Sequence, residues 1–381
     1  MKITIKRDYL IQALNEVTRA ISARTAIPIL TGIKLSINDE GAILTGSDSD
    51  ISIEAFIPLE KDDEQLITIE KYGSIVLPSR YVTDIVKRLP NETVSIEVTE
   101  GFQTLITSGS ASFSLNGLDA NDYPQLPEIG NAPTMKIPAD MLKNLIRQTA
   151  FAVSTVEVRP VLTGVNWILK DSTLLSVATD SHRLALRKII VDLPADSQFN
   201  IVIPGKSLTE LNKILDDTTE KVEIVVNNNQ ILFKITDILF YSRLLEGNYP
   251  DTTRLIPTSN TTDVEIAAKS LLQAIDRASL LARDNRNNVI KLASTTANEI
   301  EISSNSPEVG NVSEELMPVS FAGESILISF NGKYMIDALR VFENQTVKIA
   351  FSGSMHQFVI RPVDHEEGND ILQLITPVRT F

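Results

Sequence analysis

Ile3-Thr4-Ile5-Lys6-Arg7-Asp8-Tyr9-Leu10-Ile11-Gln12-Ala13-Leu14 decides the fold, because its apolar period changes part-way along from two to the spacing of a helix. The first half reads as a strand with one buried face and the second as an amphipathic helix. The pattern returns at Met135-Lys136-Ile137-Pro138-Ala139-Asp140-Met141-Leu142-Lys143-Asn144-Leu145-Ile146 and at Val264-Glu265-Ile266-Ala267-Ala268-Lys269-Ser270-Leu271-Leu272-Gln273-Ala274-Ile275. Ile5, Ile137 and Ile266 correspond at spacings of 132 and 129 residues, a domain length rather than a solenoid length. Three similar domains are expected over 1–132, 133–260 and 261–381, with borders at the turn-rich Asn131-Ala132-Pro133 and Thr258-Ser259-Asn260.

A second series starts at Ile75, Ile201 and Leu327, with Pro78, Pro204 and Asn331 in register at spacings of 126 and 127. Each of its helices precedes β-branched runs of period two, at 93–98, 221–226 and 346–351. Every domain therefore reads as two helix-plus-strands units. The fold class is α+β, with six units in the chain.

The 381 residues include 43% hydrophobic and 22% charged side chains, close to globular averages, and no apolar run of membrane-spanning length. The first eight residues lack the apolar core of a secretory signal, and cysteine is absent, so a cytoplasmic protein without disulfides is expected. With His182, His356 and His365 as the whole histidine complement, neither a metal site nor a cofactor is expected. Asp180-Ser181-His182 contains the residue types of a hydrolase triad but no nucleophile elbow accompanies it. Gly205-Lys206-Ser207 follows Pro204, with Asn200 where a phosphate loop needs glycine. The acidic run Glu60-Lys61-Asp62-Asp63-Glu64 reads as a solvated loop. No catalytic residue emerges.

A net charge of −14 argues against a polyanionic partner until its distribution is read. The six helical segments carry thirteen lysines and arginines against seven acids, which leaves the rest of the chain at −20. If the helices share one surface, Arg80, Lys87, Arg88, Lys143, Arg147, Lys206, Lys213, Arg277 and Arg340 form a basic lining suited to phosphates without base readout. The same residues are also good helix formers that sit on any solvated face, and charge alone leaves both readings open. A repeat-built interaction scaffold with no nucleic-acid role is the competing function.

Several stretches carry a resemblance along the whole chain: Ile27-Pro28-Ile29-Leu30, Thr45-Gly46-Ser47-Asp48, Phe113-Ser114-Leu115, Tyr123-Pro124, Ala178-Thr179-Asp180-Ser181-His182-Arg183-Leu184-Ala185, Leu245-Glu246-Gly247-Asn248-Tyr249-Pro250-Asp251 and Thr376-Pro377-Val378-Arg379. In these the sequence resembles the bacterial DNA polymerase III β-subunit family, the β sliding clamps. The resemblance implies a non-catalytic processivity factor: two three-domain subunits closing head to tail into a ring around duplex DNA. It implies that Arg24, Arg80 and Lys206 face that DNA.

It further implies a hydrophobic pocket of Leu162, Thr179, His182, Arg183, Leu184, Pro250, Leu255, Leu374, Pro377, Val378 and Arg379. That pocket would take short linear motifs from the replicative polymerase, the clamp loader, repair polymerases, and ligase or mismatch-repair factors. His182 and Arg183 are expected to supply polar rim contacts. Without the resemblance, Leu162, Leu184 and Leu255 would read as ordinary core. Ring closure is expected to set Phe113 and Leu115 against Leu280 and Leu281, with Glu308, Glu314 and Glu315 beside them. Ser110, Ala111 and Ser112 stand where other family members carry basic residues, so an apolar closure with a weakened electrostatic part is expected.

Overall fold

The computed structural model describes residues 1–126, 134–193, 198–227, 229–282, 288–295, 299–364 and 368–379. The expected border at 132–133 lies outside these residues, as does His365. Thr258-Ser259-Asn260 lies in a described segment without helix or strand.

Six repeats of strand, helix and three strands follow one another. The first is β1 (Lys2–Lys6), α1 (Arg7–Thr18), β2 (Gly32–Asn38), β3 (Gly41–Ser47) and β4 (Ile51–Pro58). A small hairpin of β5 (Glu60–Lys61) and β6 (Glu64–Gln65), then β7 (Ile67–Lys71), leads to the second. That is β8 (Gly73–Pro78), α2 (Ser79–Val86), β9 (Thr93–Val98), β10 (Gln103–Ser108) and β11 (Ala111–Asn116). The third is β12 (Thr134–Pro138), α3 (Ala139–Arg147), β13 (Gly164–Lys170), β14 (Thr173–Thr179) and β15 (Arg183–Ile190). The fourth is β16 (Phe199–Pro204), α4 (Gly205–Ile214), β17 (Lys221–Val226), β18 (Gln230–Ile235) and β19 (Ile238–Arg243). The fifth is β20 (Thr262–Ala267), α5 (Ala268–Ala282), β21 (Val289–Ser294), β22 (Ile300–Ser306) and β23 (Gly310–Leu316), followed by β24 (Ser320–Gly323). The sixth is β25 (Leu327–Asn331), α6 (Gly332–Arg340), β26 (Thr346–Phe351), β27 (Phe358–Pro362) and β28 (Ile371–Ile375).

Local sequence accounts for the strand-to-helix switch. Ile3 and Ile5 are fully buried on one face of β1, and Leu10, Ala13, Leu14 and Val17 bury the core stripe of α1. Pro78 and Pro204 close their strands at the point where a helix starts and a missing N–H costs nothing. At the corresponding position Asn331 caps α6, its Oδ1 accepting from the Lys333 and Tyr334 amides.

Paired repeats exchange their first strands. β1 hydrogen-bonds to β9 rather than to its own β2, and β8 hydrogen-bonds to β2. The same holds for β12 with β17 and β16 with β13, and for β20 with β26 and β25 with β21. The periodicity did not announce this exchange, because a strand's apolar face does not encode which neighbour it pairs with.

Residues 1–142 and 209–244 form one compact body, and 143–208 with 245–381 form another. The first holds a five-stranded sheet, β11-β10-β9-β1-β7, and an eight-stranded sheet, β12-β17-β18-β19-β4-β3-β2-β8. The second holds a nine-stranded sheet, β16-β13-β14-β15-β28-β27-β26-β20-β24, and a four-stranded sheet, β23-β22-β21-β25. The bodies do not follow the three expected domains, because β4 pairs with β19 and β15 pairs with β28. Within the second body Phe330 and Phe351 meet Phe358 at 5.8 and 5.2 Å between ring centres, in a fully buried cluster.

α1 packs on β3 and β4 so closely that a Cβ on Gly46 would lie 2.2 Å from the Val17 carbonyl oxygen. Backbone cannot yield as a side chain does. Gly46→Ala is expected to lower unfolding stability by roughly 1–3 kcal/mol, measured by urea denaturation; an unchanged midpoint contradicts the close approach.

Candidate protein-binding and nucleic-acid interfaces

The turn Asp180–His182 joins β14 to β15 and is built by hydrogen bonds. Asp180 Oδ1 accepts from the His182 and Arg183 amides, and the Thr179 hydroxyl donates to the Arg183 carbonyl. Tyr249 reaches over from the following linker, its hydroxyl accepting from the Thr179 amide at 3.0 Å; burial pushes its phenol up. Leu184 on β15 stands opposite Leu374 on β28. Both are buried in a cluster with Val177, Val359 and Leu372, against which Tyr249 and Ile256 pack. Pro250 and Leu255 of the same linker are exposed, as are His182 and Arg379, while Pro377 and Val378 are half-buried. Leu162 is buried in a short turn over Pro160–Thr163.

The segment after β28 is held at two points. The Thr376 amide donates to the His182 carbonyl at 2.9 Å, and the Val378 amide donates to the Ser329 carbonyl on β25 at 2.8 Å. An apolar floor of Leu184 and Leu374, flanked by Tyr249 and Ile256, thus has a backbone-pinned C-terminal segment nearby.

Arg183 corrects the expectation of a polar rim contact. Its Nε donates to Asp180 Oδ2 at 3.0 Å, its Nη1 to Asp337 Oδ2 at 2.8 Å and its Nη2 to the Phe151 carbonyl at 2.7 Å. The guanidinium lies 4.6 Å from the Tyr334 ring centre and 5.3 Å from that of Phe151, with only 10% of the side chain exposed. Such a residue is a strut, with one donor on each of its three nitrogens engaged inside the chain. Tyr334 in turn stacks on His182 at 6.4 Å.

Three corresponding sheet faces explain why only one is apolar. Strand register matches Asn166, Val177, Leu186 and Leu184 with Lys34, Thr45, Glu54 and Ser52 on one side, and with Lys291, Ser303, Ser313 and Asn311 on the other. Around Glu54 the face is a charged row, continuing through Leu239 to Lys234, Glu223 and Lys136. Glu223 is held below the usual carboxylate range by its bond from Lys234, whereas burial raises Glu54. Neither polar face offers an apolar anchor a place to desolvate.

β11 and β23 are end strands of their sheets. Phe113 on β11 is 41% exposed, Leu115 is half-buried, and Leu280 on α5 is 60% exposed with Leu281 half-buried beside it. Glu308 and Glu315 are exposed, and Glu314 lies on β23. Glu314 accepts from Arg277 Nε at 2.9 Å and from its Nη2. Arg277, expected in the basic lining, thus shares its charge with an acid of the edge strand, a pairing that spacing could not supply.

The remaining cations sit where helices or their flanks present them. Arg24, Arg80, Lys87, Lys206, Lys213 and Arg340 are exposed, and Lys143 is half-buried. Lys87 and Arg88 lie just past the end of α2. Arg88 pairs with Asp84, Lys213 with Glu210, Arg147 with Glu343 and Arg340 with Asp337. Among the described residues no cluster of histidine and acid side chains could hold a metal ion, and no helix is long and apolar enough to cross a membrane.

Models of the DNA polymerase III beta subunit match in three consecutive pieces: its N-terminal domain at residues 1–127, its central domain at 136–251 and its C-terminal domain at 253–379. The chain belongs to the DNA polymerase III β-subunit family. It is 56% identical to the beta sliding clamp of Bacillus subtilis over 381 residues and 50% identical to that of Staphylococcus aureus over 382, covering all of each chain. The crystal structure of the Bacillus subtilis clamp superposes with a TM-score of 0.96 over the full length of both chains. A sliding clamp from Pseudomonas aeruginosa bound to griselimycin, 28% identical, also covers both chains fully, with a TM-score of 0.91. The family expected from the sequence is the one found.

Phe151, Ser329, Tyr334 and Asp337 were missed as neighbours of the pocket. Tyr334 lies in the helix that follows Leu327 and Asn331, but only its 6.4 Å stack on His182 distinguishes it from a solvated helix tyrosine.

Arg277 holds the Glu314 carboxyl below the usual range through its hydrogen bonds. A depressed folded value means that the pair adds stability above the ordinary carboxylate range and loses it as pH falls through the lowered value. Carbon NMR of Glu314 is expected to show that low titration, returning to the ordinary range in Arg277→Gln; identical curves contradict the pairing.

Proposed function

We propose that two copies of this chain close head to tail into a ring that encircles duplex DNA without sequence preference and tethers DNA-processing proteins. The observation that carries this reading is a pattern of edges. The last strand of the first repeat, β4, pairs with the last strand of the fourth, β19. The last strand of the third, β15, pairs with the last of the sixth, β28. Continued once more, the pattern joins β23 of the fifth repeat to β11 of the second, and these are the end strands of their sheets. Within one chain that pairing has no counterpart among the described strands, so a second copy supplies it, and two such contacts close the ring. Phe113 and Leu115 then meet Leu280 and Leu281, with Glu308, Glu314 and Glu315 alongside. Three domains per chain, 1–132, 133–260 and 261–381, give six around the ring.

Arg24, Arg80, Lys87, Arg88, Lys143, Arg147, Lys206, Lys213, Arg277 and Arg340 are the residues we assign to the DNA side. Exposed, partly paired cations contact phosphate weakly and are screened by salt, which suits a topological link better than tight binding. The apolar floor around Leu184 and Leu374 is the site we assign to short motifs of the replicative polymerase, the clamp loader, repair polymerases, and ligase or mismatch-repair factors. A leucine or aromatic anchor desolvates there, in the mode of a short linear peptide. These roles belong to the cytoplasm, where the replication machinery works.

After loading by its clamp loader, the protein is expected to stay on closed circular DNA during gel filtration and to be lost once the circle is cut. Equal retention on both forms excludes encirclement.

Leu280→Ala combined with Leu281→Ala is expected to give folded monomer at micromolar concentration, since truncating each buried leucine costs roughly 2–5 kcal/mol. Native mass spectrometry that still finds the dimer removes these leucines from the closing surface.

A further inference from the structure

The Asp337 carboxylate on α6 touches both the strut behind the pocket and a residue of the basic set. We propose that Asp337 is a positioning residue for the peptide pocket, and that through Arg340 it makes the pocket sensitive to DNA in the ring. The inference rests on the functional reading above.

The first half follows from what Asp337 holds. Oδ2 accepts from Arg183 Nη1 at 2.8 Å, and the two side chains are only 18% and 10% exposed. A shielded ion pair of this kind is costly to break, because the surviving charge stays in a poor solvent. Arg183 sits against Tyr334, and Tyr334 against His182. Tyr334 is three residues before Asp337, on the same face of α6. Asp337 thus holds the Nη1 side of the arginine while Asp180 holds its Nε, the arginine lies against the tyrosine, and the tyrosine backs the exposed imidazole on the pocket's border. Asp337 itself does not need to meet the bound peptide.

The second half follows from its other oxygen. Oδ1 lies 3.8 Å from Arg340 Nη1, and Arg340 is 67% exposed. A pair that long and that wet is labile, so a DNA phosphate can draw Arg340 away. Asp337 then gives its charge more fully to Arg183, and the strut is held more firmly. A pocket held closer to its binding geometry binds more tightly, since less ordering remains to be done. By linkage, a bound peptide favours the released Arg340 by the same factor.

The test uses the full-length protein, free or loaded by its clamp loader on nicked circular plasmid, with a fluorescein-labelled pentapeptide carrying leucine and phenylalanine anchors read by anisotropy. For the free protein, Asp337→Asn is expected to weaken peptide binding about five- to tenfold, while Asp337→Glu restores most of it. Loading is expected to raise wild-type affinity about two- to threefold, and Arg340→Gln to remove that increment. Wild-type affinity in Asp337→Asn overturns the proposal. So does equal weakness of Asn and Glu, the mark of simple structural damage, and so does an increment that survives in Arg340→Gln. If the wild type neither stays on the circle nor binds the peptide, the functional reading fails, and this proposal with it.

Discussion

An end strand cannot leave its amides and carbonyls unpaired against a dry partner, and the organisation of this chain follows from where each repeat's last strand finds hydrogen bonds. β4 finds β19 and β15 finds β28. Those pairings fuse repeats into sheets of eight and nine strands that run across the expected domain borders. They also leave β11 and β23 as ends, which is the physical basis for the second copy we propose. The exchange of first strands tightens each pair of repeats further, because neither can complete a sheet without the other.

Charge acts on a different scale. A chain of net charge −14 is an improbable DNA partner by total count, yet its helices are basic and its acids lie largely elsewhere. The ion pairs refine this picture. Arg277 pairs with Glu314 of the edge strand, and Arg147, Arg88, Lys213 and Arg340 each share their charge with an acid. A protein meant to slide gains from such moderation, since fully exposed cations would hold one register of phosphates too long.

The pocket illustrates how an apolar site can be written into a repeated framework. Leu184, Leu186 and Val177 occupy positions that are Ser52, Glu54 and Thr45 in one corresponding repeat and Asn311, Ser313 and Ser303 in another. The framework is common to all three, and the side chains choose the face that can bury a ligand's anchor. In the sequence that choice was visible only through the family resemblance, since buried leucines on a strand otherwise read as core, and strand register brings out the contrast between the faces. The role of Arg183 was not visible there at all, because its partner Asp337 is 154 residues away and a string of letters does not say which acid an arginine meets.

From sequence alone, the change of apolar period after Ile5 determined strand then helix, its recurrence determined six units, and the placement of lysines and arginines determined a basic set of helices. These are local or additive properties, carried by neighbours within a turn or two of backbone. Tertiary structure alone decided which strands exchange, which strands end their sheets, that Arg183 is a strut, and that Arg277 pairs with Glu314 of the edge strand. Those outcomes depend on register and on contacts between residues far apart in the chain, where several pairings satisfy the same pattern and only the packed whole selects one.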